Sequence, residues 1–263
     1  MLYLLYAALD AWLIRPPEAE RVAWLREAVY AHRGLHGSEA APENSPAAFA
    51  GAIARGMGIE CDVQRTSDGQ AMVFHDFELD RLTGESGDVI DRSAAQLGQI
   101  SLSGTEDNIP TLQRLLDQID GRVPLLIEVK SRKGLRVAPL CLAVRRVLEG
   151  YCGPVAVMSF DPRVSRWFAI HSRHVVHGLV VSERDTSRFL RTLRTRMTMW
   201  AARPEFLAWN VQDLPSRLAA KQRKRGLPLL TWTVRDSRLR DRAEKYADAP
   251  IAEGEGVDRR WGV

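Results

Sequence analysis

The sequence predicts an α/β protein, a (β/α)8 TIM barrel with a small insertion after the second strand. Its 263 residues suit one such barrel, since barrels of ~250 residues fold as single domains. Short apolar runs alternate with helical patterns from residue 28 onward, as in parallel α/β folds. Charged residues follow several of these runs, and barrels carry their functional residues at the C-terminal strand ends.

The composition indicates an ordinary folded protein, with 45% hydrophobic and 27% charged residues. Its three cysteines, Cys61, Cys141 and Cys152, are widely spaced and odd in number. This pattern argues against a disulfide framework or a zinc site and favours a reducing compartment. We therefore predict a cytoplasmic protein.

The net charge of +4 is unevenly distributed. Residues 163–245 carry 19 Lys and Arg against 7 Asp and Glu, and the remainder is acidic. A basic half can attract phosphate-bearing ligands, anionic lipid or nucleic acid. Because aromatic residues are not interleaved with the basic ones, we predict a solvated helical surface and no nucleic-acid partner.

Residues 1–27 are predicted to form a helical segment that packs on the barrel domain. Residues 1–14 are apolar but contain Asp10, lack the features of a signal peptide and fall short of the ~20 residues that span a bilayer. We favour a helix that covers the bottom of the barrel. The alternative is an interfacial helix in weak peripheral contact with the inner membrane surface, anchored by Tyr3, Tyr6 and Trp12.

The barrel domain is predicted to span 28–263. Its first strand is Ala28–Ala31, after which Ser45 caps a helix that Pro46 begins and Gly56 ends. The other apolar strand runs lie at 59–63, 123–130, 155–160, 175–180, 206–209, 229–234 and 246–254. Helical patterns lie between them, from Thr111, at 136–149, from Pro162, and at 186–200, 215–225 and 237–245. Residues 77–109 are rich in Asp, Gly, Ser and Thr and are predicted to be an insertion over the barrel mouth.

A hairpin is predicted where the second strand, Ile59–Val63, and the run Ala71–Asp76 flank an Asp68-Gly69 turn signal. No crossover helix fits between two runs so close together, so they pair antiparallel. A turn centred on Asp68-Gly69 pairs Ser67 with Gln70.

The same register places His75 opposite Asp62. Directly opposed residues share a face, as do residues two apart on one strand. Glu60, Asp62 and His75 are therefore predicted to converge, whereas Cys61 and Phe74 point away.

Seven polar residues fall on this hairpin or at the ends of the first three strands. They are His32, Arg33, Glu60, Asp62, His75, Glu128 and Lys130. The three carboxylates suit a hard divalent cation such as Mg²⁺ or Ca²⁺. The arginine fork and the lysine point charge suit a phosphoryl group. The two histidines supply an acid and a base, so every part has a use in phosphodiester cleavage.

Nine blocks of the sequence resemble the signature blocks of the glycerophosphodiester phosphodiesterase family. The blocks lie at 32–34, 42–45, 60–63, 66–69, 75–76, 79–83, 109–112, 127–130 and 232–234. The chain departs from the usual pattern at Ser45, at Arg235 and in the ending Ala252-Glu253-Gly254. These departures lie at the pocket rim, where they bear on substrate choice.

The resemblance implies a metal-dependent barrel hydrolase that splits glycerophosphodiesters into an alcohol and sn-glycerol 3-phosphate. It implies that His32 and His75 are the general acid and base, that Arg33 and Lys130 hold the phosphate, and that the metal ligands are Glu60, Asp62 and Glu128. Trp232, near a strand end, is a candidate wall of the pocket.

Two other functions compete with this one. The same barrel could act on lysophospholipid or sphingophospholipid headgroups, as the spider-venom phospholipase D relatives do. A non-catalytic protein could use the basic half to bind phosphate or an anionic surface, although the seven polar residues argue against that role.

Overall fold

Eight parallel strands close into a barrel in the computed structural model, which confirms the predicted fold. The structure describes residues 2–37, 41–183 and 188–257. The barrel closes because β1 pairs in parallel with β2 on one side and with β9 on the other. The strands are β1 (Tyr30–His32), β2 (Gly58–Arg65), β3 (Ala71–Val73), β4 (Leu125–Val129), β5 (Val155–Ser159), β6 (Val176–Val181), β7 (Phe206–Asn210), β8 (Leu229–Val234) and β9 (Ala249–Ala252), of which β3 forms only the hairpin with β2.

Helices cover the outside of the barrel, and several of them begin at a capping side chain. The Ser45 hydroxyl accepts a hydrogen bond from the Ala48 amide, and Pro46 occupies the first helical turn as predicted. The helices are α1 (Leu2–Leu13), α2 (Ala19–Val22), α3 (Pro46–Ala54), α4 (Ala94–Leu97), α5 (Leu112–Ile119), α6 (Ala138–Leu148), α7 (Pro162–His171), α8 (Arg188–Ala202), α9 (Arg217–Lys224) and α10 (Ser237–Tyr246). Short 3-10 turns lie at Ala23–Arg26, Val89–Asp91, Val211–Asp213 and Gly254–Gly256.

The strands are apolar on both faces because one face meets the helices and the other fills the barrel. On β4, Ile127 packs with the helices, whereas Leu126 lies in the interior cluster. The Phe206 ring also fills the interior, directly against Gly178, where any Cβ would overlap it. Continuous hydrophobic runs are the expected result of burial on both faces.

The bottom of the barrel is closed by the segment just before β1. Val22 and Leu25 are fully buried in the interior cluster, and the Tyr30 hydroxyl donates to the Leu25 carbonyl. The expectation that residues 1–14 cover the bottom was wrong in this respect, because α1 lies against α8 on the outside of the barrel.

A buried carboxylate fixes α1 to the outer helices. Asp10 is fully buried, and it accepts hydrogen bonds from Arg196 at 2.6 Å, Lys221 at 2.8 Å and Trp200 at 2.9 Å. This explains the charge that interrupts the apolar N-terminal run. Within the described residues, no helix is both long and apolar enough to cross a bilayer.

The hairpin forms, but its register is one residue away from the prediction. Val63 pairs with Val73, and the Phe74 amide donates to the Asp62 carbonyl at 3.0 Å, so Phe74 and not His75 stands opposite Asp62. The cause is a three-residue loop, in which Gly69 adopts φ 82° and the Thr66 amide donates to the Gln70 carbonyl.

His75 follows the end of β3 and is positioned by a side chain instead of by the strand ladder. The Gln64 amide donates to the carbonyls of Phe74 and Asp76, on either side of His75. The insertion that follows has a small core of its own, formed by Met72, Phe74, Leu79, Val89, Leu97, Leu102 and Ile109.

Replacing Asp10 by Asn should lower the free energy of unfolding by about 2 kcal/mol, because the cations of Arg196 and Lys221 lose their buried partner. The partial exposure of these cations keeps the loss below that of a fully buried pair. Urea denaturation measures this loss in the free energy of unfolding.

The matched control is Asp117→Asn, which changes an exposed helix carboxylate that accepts a hydrogen bond from Gln113. This variant should change stability by less than about 0.5 kcal/mol. Equal effects of the two variants would contradict the anchoring role of Asp10.

Candidate active site

Strand register gathers three carboxylates at the C-terminal end of the barrel. Asp62 on β2 is the direct parallel partner of Glu128 on β4, and Glu60 lies two residues before Asp62 on the same face. One oxygen from each of the three groups lies within 4.8 Å of the others. We call Glu60, Asp62 and Glu128 the carboxylate triad.

The triad is largely buried, which makes its negative charge costly. Glu60 is 1% and Asp62 2% exposed, and the Glu128 side chain is 12% exposed. Burial, together with the charges of Asp62 and Glu128, raises the pKa of Glu60 well above its usual value. Burial also raises the pKa of Glu128, against the effect of Lys130. Burial acts the same way on Asp62, but Lys130, His75 and Arg33 together hold the pKa of Asp62 below its usual value.

The donor set of the triad fits a hard divalent cation. Three carboxylate groups supply several oxygen donors, and such cations prefer oxygen ligands. An ion there would relieve the repulsion that raises the pKa of Glu60 and Glu128.

Two cationic side chains border the triad. Lys130 Nζ lies 3.0 Å from Glu128 Oε1 and 3.3 Å from Asp62 Oδ1. Arg33 Nε lies 3.3 Å from Asp62 Oδ2, and the Arg33 backbone amide donates to Glu60 Oε2 at 3.1 Å. Arg33 adopts φ 56°, which turns this amide toward the triad. A phosphoryl group beside the triad would therefore meet positive charge from two strands.

Each predicted histidine has a carboxylate on its Nδ1 atom. His32 Nδ1 lies 2.5 Å from Glu253 Oε2, and His32 Nε2 lies 4.0 Å from Glu60 Oε2. His75 Nδ1 lies 2.6 Å from Asp76 Oδ1. Burial lowers the pKa of both imidazoles, against the opposing effect of the carboxylates beside them. With Nδ1 occupied, proton transfer to a ligand falls to Nε2 in both rings.

The seven predicted site residues thus lie at one end of the barrel, with His75 close enough to Asp62 for their charges to interact. Trp232 lies in the C-terminal half of β8, where its Nε1 donates to the Ala208 carbonyl. The centroids of the Trp232 and Phe160 rings are 5.3 Å apart and the two rings are nearly perpendicular. Phe160 is 47% exposed, so the two rings form an aromatic rim.

Sequence reasoning gave no role to Asn44 and Glu253. Asn44 adopts φ 58° and makes two hydrogen bonds with Asp62, donating from Nδ2 at 3.0 Å and accepting the Asp62 amide at 3.3 Å. Glu253 is the partner of His32. Asn44 lies in the block 42–45 that resembles the family signature, and this block was the signal that could have identified it. Glu253 appeared only as a departure from the usual C-terminal pattern of the family.

Arg81, on the insertion, connects two parts of the site. It donates to both oxygens of Glu43, which in turn accepts from Arg33 at 2.8 Å. It also donates to both oxygens of Asp76, the partner of His75. These bonds hold the pKa of Asp76 down at about 2. Arg81 therefore orients a histidine and an arginine of the site at once.

Comparison with known proteins agrees with this architecture. The protein is 34% identical over 222 residues to a glycerophosphodiester phosphodiesterase of Caldanaerobacter subterraneus, a match that covers 80% of this chain and 86% of the relative. A putative glycerophosphodiester phosphodiesterase of Bacillus subtilis is 38% identical over 110 residues, covering 39% of this chain and 44% of the relative. That shorter match spans less than half the length of the Bacillus protein.

Among solved structures, a phosphodiesterase of Oleispira antarctica in complex with the product sn-glycerol-3-phosphate superimposes with a TM-score of 0.71. It is 24% identical, and the match covers 86% of this chain and 92% of the other. At this identity the likeness concerns the fold.

The fold and the triad define a (β/α)8 barrel with a cluster of carboxylates at its C-terminal end that could hold a metal ion. More particularly, the chain belongs to the glycerophosphoryl diester phosphodiesterase family, whose sequence model matches residues 32–253. The resemblance seen in the sequence is thereby confirmed.

Arg81→Ala should lower kcat for a phosphodiester substrate about tenfold to a hundredfold, because His75 and Arg33 lose their shared support. The KM should change less than kcat, and the urea midpoint should be unchanged. Arg81→Lys should recover only part of the loss, since an ammonium group lacks the fork that holds two carboxylates.

The matched control is Arg92→Ala, which removes an arginine of the same insertion that pairs with the exposed Glu85. Its activity should equal that of the wild type. An Arg81→Ala variant with wild-type kcat would show that this residue does not support the site.

Proposed function

We propose that the protein hydrolyses glycerophosphodiesters to sn-glycerol 3-phosphate and an alcohol, with Mg²⁺ or Ca²⁺ held by Glu60, Asp62 and Glu128. The observation that carries this proposal is the buried triad with two carboxylate-held histidines at the same end of the barrel. The names of the relatives favour this class over the lysophospholipid and binding-protein alternatives.

A divalent cation held by Glu60, Asp62 and Glu128 would stabilise negative charge on the phosphoryl group. The protein supplies the remaining positive charge through Arg33 and Lys130. Both are already aligned by Asp62, and Arg33 is also held by Glu43. Because their positions are fixed before the substrate arrives, little reorganisation is needed as negative charge develops on the phosphoryl group.

The histidines move the protons. One imidazole takes a proton from the attacking water, or from the glycerol 2-hydroxyl if a cyclic phosphate forms first, and the other protonates the leaving alcohol. Glu253 stabilises His32 when that ring is protonated, and Asp76 does the same for His75. The Nδ1 contacts also fix each ring so that Nε2 faces the reaction.

Glycerophosphodiesters of several alcohols test the substrate class. Each should release glycerol 3-phosphate when Mg²⁺ or Ca²⁺ is present, and chelation should remove the activity, since the triad alone would repel the phosphate. Glycerol 3-phosphate is measured by a coupled dehydrogenase assay, with a lysophospholipid as the competing substrate. Cleavage of the lysophospholipid alone, or full activity in chelator, would contradict the proposal.

Replacing His32 or His75 by Ala should lower kcat by roughly 10²- to 10⁴-fold. His174→Ala is the control, because that ring contacts Ser172 away from the triad, and it should leave kcat unchanged. Circular dichroism checks folding in all three variants. Wild-type turnover in His75→Ala would refute its role in proton transfer.

A further inference from the structure

A second group of potential metal ligands lies behind the catalytic His32, on the side away from the triad. It consists of His32, His36 and Glu253, which we call the His-His-Glu cluster. One donor atom from each lies within 4.8 Å of the others. His32 and Glu253 come from the first and last strand ends, and His36 lies in the loop after β1.

The geometry of the cluster is close to that of a three-ligand metal site. His36 Nε2 lies 3.5 Å from Glu253 Oε2, the same oxygen that lies 2.5 Å from His32 Nδ1. Ligand atoms about 2.0 Å from a tetrahedral zinc ion are about 3.3 Å apart. A shift of roughly 1 Å between His32 and Glu253 would therefore admit an ion.

His36 adds an independent observation. Its Nε2 atom is buried, and its 3.5 Å contact with Glu253 Oε2 does not complete a well-formed hydrogen bond with a described residue. A buried polar nitrogen without such a bond is costly and uncommon. Its direction toward Glu253 leaves it available as a ligand, and the hydrogen bond from the His36 amide to the Gly34 carbonyl fixes the backbone beneath it.

The chemistry of the two donor sets differs. The triad offers oxygen alone, which suits Mg²⁺ and Ca²⁺, whereas two imidazoles and one carboxylate suit Zn²⁺ and similar transition metals. We propose that the His-His-Glu cluster binds a transition-metal ion such as Zn²⁺, and that this ion inhibits hydrolysis by taking His32 as a ligand.

Inhibition follows from the protons that the His32 ring can carry when a metal is bound. A neutral imidazole that binds a metal through Nδ1 carries its one proton on Nε2. It has no lone pair left to accept another proton, so it no longer alternates between neutral and protonated forms. This blocks either of the roles proposed for His32. The inhibition rests on the proposed function, whereas the binding of the ion does not.

Binding is tested directly, on the full chain with excess Mg²⁺, by competition for Zn²⁺ with a chromogenic chelator. Wild-type protein should bind one Zn²⁺. His36→Ala should weaken this binding at least tenfold, since loss of even an outer-shell partner typically costs 10- to 100-fold in affinity. His174→Ala serves as the histidine control and should bind as the wild type does. Glu128→Gln, which changes the triad, should also keep this binding.

Inhibition is tested in the same buffer. Zn²⁺ should abolish wild-type turnover in a manner that additional Mg²⁺ does not relieve, and His36→Ala should keep its zinc-free activity while the half-inhibiting Zn²⁺ concentration rises at least tenfold. Unchanged zinc binding in His36→Ala, no binding by the wild type, or relief by Mg²⁺ would each overturn the proposal. Zinc binding without inhibition would overturn the inhibitory role, and absence of any hydrolysis would instead count against the proposed function.

Discussion

The repulsion among three largely buried carboxylates is the constraint on which the rest of the site depends. The parallel register of β2 and β4 sets Asp62 beside Glu128, and Glu60 shares their face. Lys130 and Arg33 compensate part of the negative charge of the carboxylates. The carboxylate oxygens nevertheless remain close to one another. Such an arrangement is costly unless a cation completes it. The barrel thus concentrates carboxylates at the end where the candidate active site lies.

The surrounding contacts form a second layer that orients the first. Asn44 forms hydrogen bonds with both the carboxylate and the backbone amide of Asp62. Glu43 accepts a hydrogen bond from Arg33. Arg81 extends this layer into the insertion and supports the partner of His75. Because the insertion has its own small apolar core, it holds Arg81 in a defined position beside the site. Loss of a contact in this layer would change the orientation of the candidate catalytic side chains.

Much of the fold was predictable because barrel strands are apolar on both faces and the helices carry clear caps. The candidate site was predictable because its charges follow these strands. The predictions were wrong where the structure depends on a local conformation or a single contact that leaves no periodic pattern in the sequence. Gly69 produces a three-residue loop and shifts the hairpin register by one, and α1 binds α8 through Asp10 instead of covering the barrel bottom. Glu253 contacts His32 across 221 residues, a distance over which no spacing pattern operates.

The most direct test of the account is a crystal structure of the protein with Mn²⁺ and glycerol 3-phosphate, recorded with anomalous scattering from the manganese. We expect one strong peak about 2.2 Å from oxygens of Glu60, Asp62 and Glu128, with the phosphate between that peak and Arg33. A fully active protein in which the ion lies elsewhere, or in which the triad contacts no ion, would contradict it.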